Sequence, residues 1–433
     1  MRFAKSFIQN PKLASYTALK SIYWCLPSSV RHSLWRPRHA FVRWAREFLS
    51  PVATVKNDIG ENDLTWDEFQ IQVLDRRSEF KGIFVQEVVI DWNVPLYQRP
   101  QHIAAAFGRK GYLVIYKTDN WAGDNVNGFR QVSKNVWITN CHEVNSINGV
   151  VRSVYCTAYL NTPKLILENG RRGIILYEYI DHIDPMISGV TENIKRLVAL
   201  KNFAFGGGAD FVVVSSRLLE AEAAQAVGRD KVIFVPNGVD TRHYRNVIHQ
   251  HTPLPERLLV FRKKYANIVG YFGALATWLW YEAIAELVKD RPDLGFIFIG
   301  PDYDGGSEKL PVADNVLYLG TVDYQILPAY ARQFDVCFIP FAPGEIARTT
   351  SPLKLFEYFA LEKPVVVTSE MNECTIFKEV FSGDSAKALN QAIEDAIRKK
   401  SNSSFKARLA QLADENDWDE RVRTMEAVFA HKA

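Results

Sequence analysis

The chain has 433 residues, 47% of them hydrophobic and 23% charged, with a net charge of +3. That length exceeds one ordinary core and implies two domains, and the composition excludes a disordered or fibrous chain. No run of eighteen apolar residues occurs, so no spanning helix is expected. The five cysteines, at 25, 141, 156, 337 and 374, make neither a CxxC pair nor a metal pattern, which points to a reducing cytosol.

Charge is unevenly spread. Residues 1–50 hold nine Lys or Arg against one acid, Glu47, so the rest of the chain is net acidic. A nucleic-acid binder would be basic across its body, and none is expected here. Nine aromatics, among them Trp24, Trp35 and Trp44, interleave with these cations. The start lacks the long apolar centre of a signal peptide. Two readings stay open for this segment: short basic helices lying on an anionic membrane surface, or a helical hairpin packed on the next domain. Residues 1–80 are read as a helical extension and connector. Its last part carries a Thr65/Glu68 capping box that opens a short helix.

Residues 81–250 read as a first Rossmann-like lobe. Gly82–Ile90 is a strand, a helix follows Arg99-Pro100, and a turn at Gly111 leads to a second strand, making a β-α-β unit. It lacks GxGxxG, so dinucleotide binding is not indicated. Strands are expected at Val136–Thr139 and Leu165–Leu167, with a helix between 140 and 161. The strand from Gly173 ends in a polar cluster, Asp181, His182 and Asp184. An Asp beside a His suggests metal, but no further ligands follow at set spacing, so no metal site is expected. Arg99 falls at the sheet edge where ligands bind, or is a plain helix-start arginine. Ala209–Ser216 is a buried strand, and Pro236-Asn237-Gly238-Val239-Asp240 is a turn whose Gly238 is free to take positive φ.

Residues 251–433 read as a second such lobe, entered through a polar, Pro-containing linker near 249–256. Ile268–Leu275 is a strand ending in a turn at Gly273. Trp278 and Trp280 begin the next helix, and Phe296–Gly300 and Asn315–Gly320 are further strands. Val336–Pro340 is a buried strand. A polar loop follows, then a short amphipathic helix over Pro352–Ala360 with Ser351 as its cap, then a strand at Val365–Val367. A strand running into a helix start is an anion site, because the first amides are unpaired and the dipole is favourable. Lys354 and Glu357 stand one turn apart. They suit a phosphate and ribose hydroxyls, or else form an i,i+3 surface salt bridge.

The segment SPLKLFEYFALEKPVVV resembles the donor-binding segment of bacterial retaining glycosyltransferases with two Rossmann-like lobes facing across a cleft (GT-B), of the family 4, group 1 kind, in a polysaccharide subgroup. Arg99-Pro100, the Tyr177-x-x-x-Asp181 run, Pro236–Asp240 and the turn at Gly273 support it. The resemblance implies a nucleoside diphosphate sugar as donor substrate, no tightly bound cofactor and no required metal. It assigns donor binding to Gly273, Ser351, Pro352, Leu353, Lys354 and Glu357. It gives Asp181, Lys354, Glu345 and Arg348 catalytic roles, and places Arg99, His182 and Asp184 on the acceptor side. Similar enzymes carry an acid eight residues before the ribose Glu; here that position is Thr349, and the nearest upstream acid is Glu345. The last helix, Trp418–Phe429, is expected to cross back onto the first lobe. The implied setting is cell-surface polysaccharide or lipopolysaccharide assembly on an oligosaccharide or polyprenyl-linked acceptor, by a peripheral enzyme at the cytoplasmic face of the inner membrane. Two alternatives share the fold: a non-catalytic nucleotide- or sugar-binding module, and a nucleotide-sugar epimerase.

Overall fold

Short runs of β-branched and aromatic residues, each closed by a polar loop and most followed by a helix, build two separate parallel sheets. The computed structural model describes residues 63–429, apart from 89, 95, 119–122, 158–172, 189–190, 247–251 and 304. The first sheet uses β1 (Ile83–Glu87), β2 (Leu113–Lys117), β3 (Phe129–Ser133), β4 (Val136–Thr139), β5 (Val151–Tyr155), β6 (Ile174–Tyr179), β7 (Phe211–Val214) and β8 (Val232–Phe234), in the order β3-β4-β2-β1-β5-β6-β7-β8. All neighbours are parallel except the edge pair β3 and β4. The second sheet uses β9 (Asn267–Phe272), β10 (Leu294–Ile299), β11 (Val316–Tyr318), β12 (Val336–Ile339), β13 (Val365–Thr368) and β14 (Val380–Gly383), in the order β11-β10-β9-β12-β13-β14. Its central strands β12 and β13 are buried at every position, as a parallel strand covered on both faces must be. The flanking helices follow from local spacing. Ala386–Lys399 buries Ala386, Leu389, Ala392, Ile393 and Ala396 on one stripe, and the Ala388 amide donates to the Ser385 hydroxyl at its start, 3.2 Å away.

Strand order reverses between β1 and β5 in the first sheet, and between β9 and β12 in the second. Those two points are where open α/β sheets leave a crevice beyond their carboxyl ends. The helix expected over 140–161 is not formed in its described part, 140–157. Residues 142–146 form one short 3-10 turn, and Val151–Tyr155 is the central strand β5. Arg152 in its middle breaks the apolar run, but it is buried and ion-paired with Glu87. The expected strand at 165–167 lies outside the described residues, as does the basic segment 1–50. Among the described residues no helix is long and apolar enough to cross a membrane.

Residues 64–80 pack on the first sheet. Thr65 and Glu68 exchange capping bonds, and Phe69 stacks on Phe129 of β3 with ring centroids 3.9 Å apart. At the other end, helix Trp418–Phe429 buries Trp418, Val422, Met425 and Phe429 in the first-lobe core. Each such side chain contributes roughly 1.5–3 kcal/mol of burial, so the return helix clamps the first lobe to the end of the second. The segment before it bonds to the Pro236–Asp240 turn: the Val239 amide donates to Asn416 at 3.1 Å, and the Trp418 amide to Val239 at 3.1 Å. Gly238 therefore serves close approach rather than the expected positive φ. A Cβ there would lie 2.5 Å from the Asn416 carbonyl oxygen.

Candidate active site between the lobes

The carboxyl ends of the two sheets face one another across a cavity of about 260 Å³. The first lobe contributes Arg99 from the helix after β1, Tyr155 at the end of β5, Asp181 after β6 and Asn237 after β8. The second contributes Gly273 after β9, Trp278, and Ser351–Lys354 with Glu357 from the segment after β12. The cleft thus opens at both switch points.

Helix Leu353–Ala360 carries the main charges. Its face at Leu355, Phe356, Tyr358 and Phe359 is sealed in the second-lobe core, which fixes the directions of Lys354 and Glu357. Glu357 is only 6% exposed. Burial pushes its carboxyl up to about 7, partly countered by the Tyr244 hydroxyl and the Lys354 charge. Burial pushes the half-buried Lys354 ammonium down to about 8, against the pull of Glu357. The ammonium lies over the rings of Tyr271 and Phe341, 5.5 and 5.3 Å from their centroids. This is not a solvated surface salt bridge. It is a desolvated cation and a desolvated carboxyl in one cleft wall, the pattern that marks functional sites.

Gly273 is needed by geometry. Its φ is +139°, and a Cβ would sit 2.8 Å from both Lys354 Cε and Tyr271 Oη. Ser351 is not the helix cap. The cap position is Pro352, with no side-chain capping bond. The Ser351 hydroxyl instead accepts from the Asn237 amide at 3.2 Å, and the Ser351 carbonyl accepts from the Asn237 side-chain amide at 2.5 Å. A residue expected to serve its own helix joins the two lobes. Leu353 and Lys354 follow at the helix start, where the backbone amides have no intrahelical acceptor.

Arg99 is 1% exposed; it lines the cleft and holds protein partners through two of its nitrogens, while its buried Nη2 has no hydrogen-bond partner. Its Nε donates to Glu178 at 2.8 Å, and its Nη1 to the Val235 carbonyl at 2.9 Å and Asn237 Oδ1 at 3.2 Å. Asp181 faces the cleft, and burial raises its carboxyl to about 6 against the pull of Arg99. His182 borders a separate 40 Å³ pocket, shared with Asp181, Cys156 and Leu197. Asp184 starts the short helix Pro185–Ser188, its carbonyl accepting from the Ile187 and Ser188 amides, and does not line the cleft.

Glu345 and Arg348 lie outside the cleft. In helix Glu345–Thr349 and the residue after it, Ile346 and Thr350 line the cavity, while Glu345 and Arg348 take another face. Their side chains are 47% and 45% exposed, paired with each other at 3.5 Å, and Arg348 also reaches Glu370 at 3.2 Å. Thr349 is buried, its hydroxyl donating to the Glu345 carbonyl at 2.7 Å. Tyr155 and Tyr303 line the cleft with no sequence expectation behind them; Tyr155 was hidden by the mistaken helix.

Among the described residues no group of three or more His, Cys, Asp and Glu side chains could hold a metal ion. A second cavity, about 390 Å³, sits at the amino ends of the second sheet's central strands β12 and β13. Its Arg332, Lys363 and Lys400 surround the carbonyl ends of helices, where cations complement the dipole.

Residues 266–399 match the family model described as Glycosyl transferases group 1. A Bacillus subtilis (strain 168) protein, TuaH, whose name describes a teichuronic acid biosynthesis glycosyltransferase, is 27% identical over 259 residues, 57% of this chain. The match spans 64% of that relative, just under two thirds of its length. An α,α-trehalose-phosphate synthase (UDP-forming) from Burkholderia vietnamiensis superposes with a TM-score of 0.59 at 12% identity, over 81% of this chain and all of that one. Anabaena Alr3699/HepE in complex with UDP-glucose superposes with a TM-score of 0.53 at 15% identity, over 80% of this chain and 98% of that one. Identities this low speak for the fold. The chain therefore has the two-lobe GT-B fold, and its residues 266–399 match the group 1 glycosyl transferase model.

Proposed function

We propose that the protein transfers a sugar from a nucleoside diphosphate donor to a hydroxyl of a glycan or lipid-linked acceptor, in the assembly of a cell-surface polysaccharide. The observation that carries this is the pairing of Lys354 with Glu357 on the first turns of the helix that enters the cleft, within the matched family domain. The donor diphosphate lies at the Leu353 and Lys354 amides, its charge met by the Lys354 ammonium and the helix dipole. Glu357 accepts from ribose hydroxyls. Asp181, ionised at neutral pH with its carboxyl near 6, holds the acceptor hydroxyl from the first lobe. The cleft orients both reactants and limits water.

The transfer proceeds with retention in this reading. The anomeric carbon–oxygen bond to the diphosphate breaks, the acceptor oxygen bonds to the same face, and the departing diphosphate oxygen takes the acceptor's proton. No protein nucleophile is used. Support comes from the resemblance of the helix segment and from the name of the B. subtilis relative. The test is a panel of nucleoside diphosphate sugars with the purified protein, followed by the anomeric configuration of any product. An inverted product refutes retention. Diphosphate binding without transfer across a broad donor and acceptor panel favours a binding module, the reading that the buried Thr349 would suit.

The basic aromatic segment 1–50 fits a peripheral position at the cytoplasmic face of a membrane, with each Lys or Arg near an anionic surface adding about 1 kcal/mol. Deleting it should abolish salt-sensitive binding to vesicles containing anionic lipid. Equal binding by the deleted protein refutes this role, and loss of folding points to the packed hairpin.

A further inference from the structure

One chain of hydrogen bonds runs from the middle of the first sheet to the start of the donor helix. Ser153 of β5 donates through Oγ to Glu178 Oε1 at 2.6 Å. Glu178 of β6 receives Arg99 Nε on its other oxygen at 2.8 Å. Arg99 Nη1 donates to Asn237 Oδ1 at 3.2 Å, which leaves the Asn237 side-chain amide to donate to the Ser351 carbonyl at 2.5 Å. The Asn237 backbone amide adds the bond to Ser351 Oγ at 3.2 Å. Arg421 of the return helix donates to the Asn237 carbonyl at 3.2 Å. Asn237 is thus the junction of the first sheet, the return helix and the residue two places before Leu353.

The links from Ser153 to Ser351 join buried residues, and Arg421 is half-buried. Arg99 is 1% exposed and Glu178 fully buried, while Ser153, Asn237 and Ser351 are also buried. In that setting each bond is directional, and its loss leaves an uncompensated polar group. The guanidinium fork is what serves two partners at once: one nitrogen holds Glu178 while another orients the Asn237 amide. A lysine keeps the charge opposite Glu178 but cannot reach both in that geometry.

We infer that Arg99 is a positioning residue for the donor helix: acting through Asn237, it fixes Ser351 and so aims the Leu353 and Lys354 amides and the Lys354 side chain into the cleft. This role across the lobe boundary is separate from the one expected of Arg99 on the acceptor side, where it also lines the cleft. The consequence for donor binding rests on the function proposed above; the structural coupling does not.

Hydrogen exchange on the unliganded full-length protein tests the coupling, read in peptides covering 235–239 and 349–356. Arg99→Lys and Asn237→Ala should each speed exchange there by about tenfold, with 294–299 in the same sheet unchanged. The double variant should exchange no faster than Asn237→Ala alone, because the arginine acts through the asparagine. Additive effects, or unchanged exchange in Arg99→Lys, overturn the inference. Should Arg99→Lys not fold, Ser153→Ala removes only the bond that orients Glu178. It must then speed exchange in the same peptides and do nothing further in the Asn237→Ala background; otherwise the inference fails. With an active donor in hand, Arg99→Lys should raise donor KM at least fivefold while kcat stays within about threefold. A fall in kcat alone, per folded protein, points to the acceptor side and overturns the positioning role. An inactive wild type refutes the proposed transfer and leaves the exchange result standing.

Discussion

Replacing Glu357 with glutamine should stabilise the protein at alkaline pH while weakening its hold on the donor. Burial raises this carboxyl from an ordinary value of 4.5 to about 7. The folded state therefore binds the proton more tightly than the unfolded state, and stability falls as pH rises from about 4.5 through about 7. Once both states are ionised the cost is about 3 kcal/mol; at pH 5.5 it is about 1 kcal/mol. Glutamine keeps the shape and does not titrate, so the gain of Glu357→Gln over wild type should grow by about 2 kcal/mol between pH 5.5 and pH 8. At about 2–4 °C per kcal/mol for a lobe-sized unit, calorimetry should show the Tm difference widening by roughly 4–8 °C. In the same preparation UDP, or the donor nucleotide found by the panel, should bind at least tenfold more weakly, about 1.4 kcal/mol, because an amide cannot replace the carboxylate at two ribose hydroxyls. A Tm difference that is negative at pH 8, or constant with pH, refutes the argument: the carboxylate would then be a structural anchor and not a group held ready at a cost to the fold.

Lys354 makes the opposite use of pH. Its ammonium loses the proton near pH 8, so diphosphate affinity measured by calorimetry should fall between pH 7.5 and 9. Lys354→Met should bind at least tenfold more weakly at pH 7 and lose that fall; a retained slope would show that another group reads the diphosphate. Gly273→Ala adds a methyl against Lys354 Cε and Tyr271 Oη in a conformation foreign to alanine, so it should cost roughly 1–3 kcal/mol of stability and weaken nucleotide binding as well. Thermal unfolding together with UDP titration checks both, and normal binding would show that the Lys354 position tolerates displacement. Asp181→Asn should leave UDP affinity unchanged and lower transfer at least tenfold. Wild-type turnover should decline as pH drops through about 6, where Asp181 takes up its proton.

Local patterns settled much of this protein in advance. Val336–Ile339 and Val365–Thr368 read as buried strands because a covered parallel strand is apolar at every position, and that signal needs no partner to be seen. The spacing of Lys354 and Glu357 placed them on neighbouring turns of one helix, and the helix entered the cleft with both. The two-lobe architecture followed from the repeated strand-and-helix alternation. What the spacing left open was which way each group faces once neighbours compete for it. Glu345 and Arg348 sit nine and six residues before Lys354, yet their segment presents Ile346 and Thr350 to the cleft and turns the charges toward Glu370 and water. Ser351 stands where a cap would stand, but Asn237, 114 residues earlier, takes its hydroxyl and its carbonyl. Val151–Tyr155 passed for helix because a buried ion pair between Arg152 and Glu87 hides the charge that interrupts its apolar run. Each of these depends on a contact between residues far apart in sequence. Such contacts form only when the two sheets, the Pro236–Asp240 turn and the return helix close on one another, because desolvation in that closed packing decides which polar groups must pair and which stay free for a ligand.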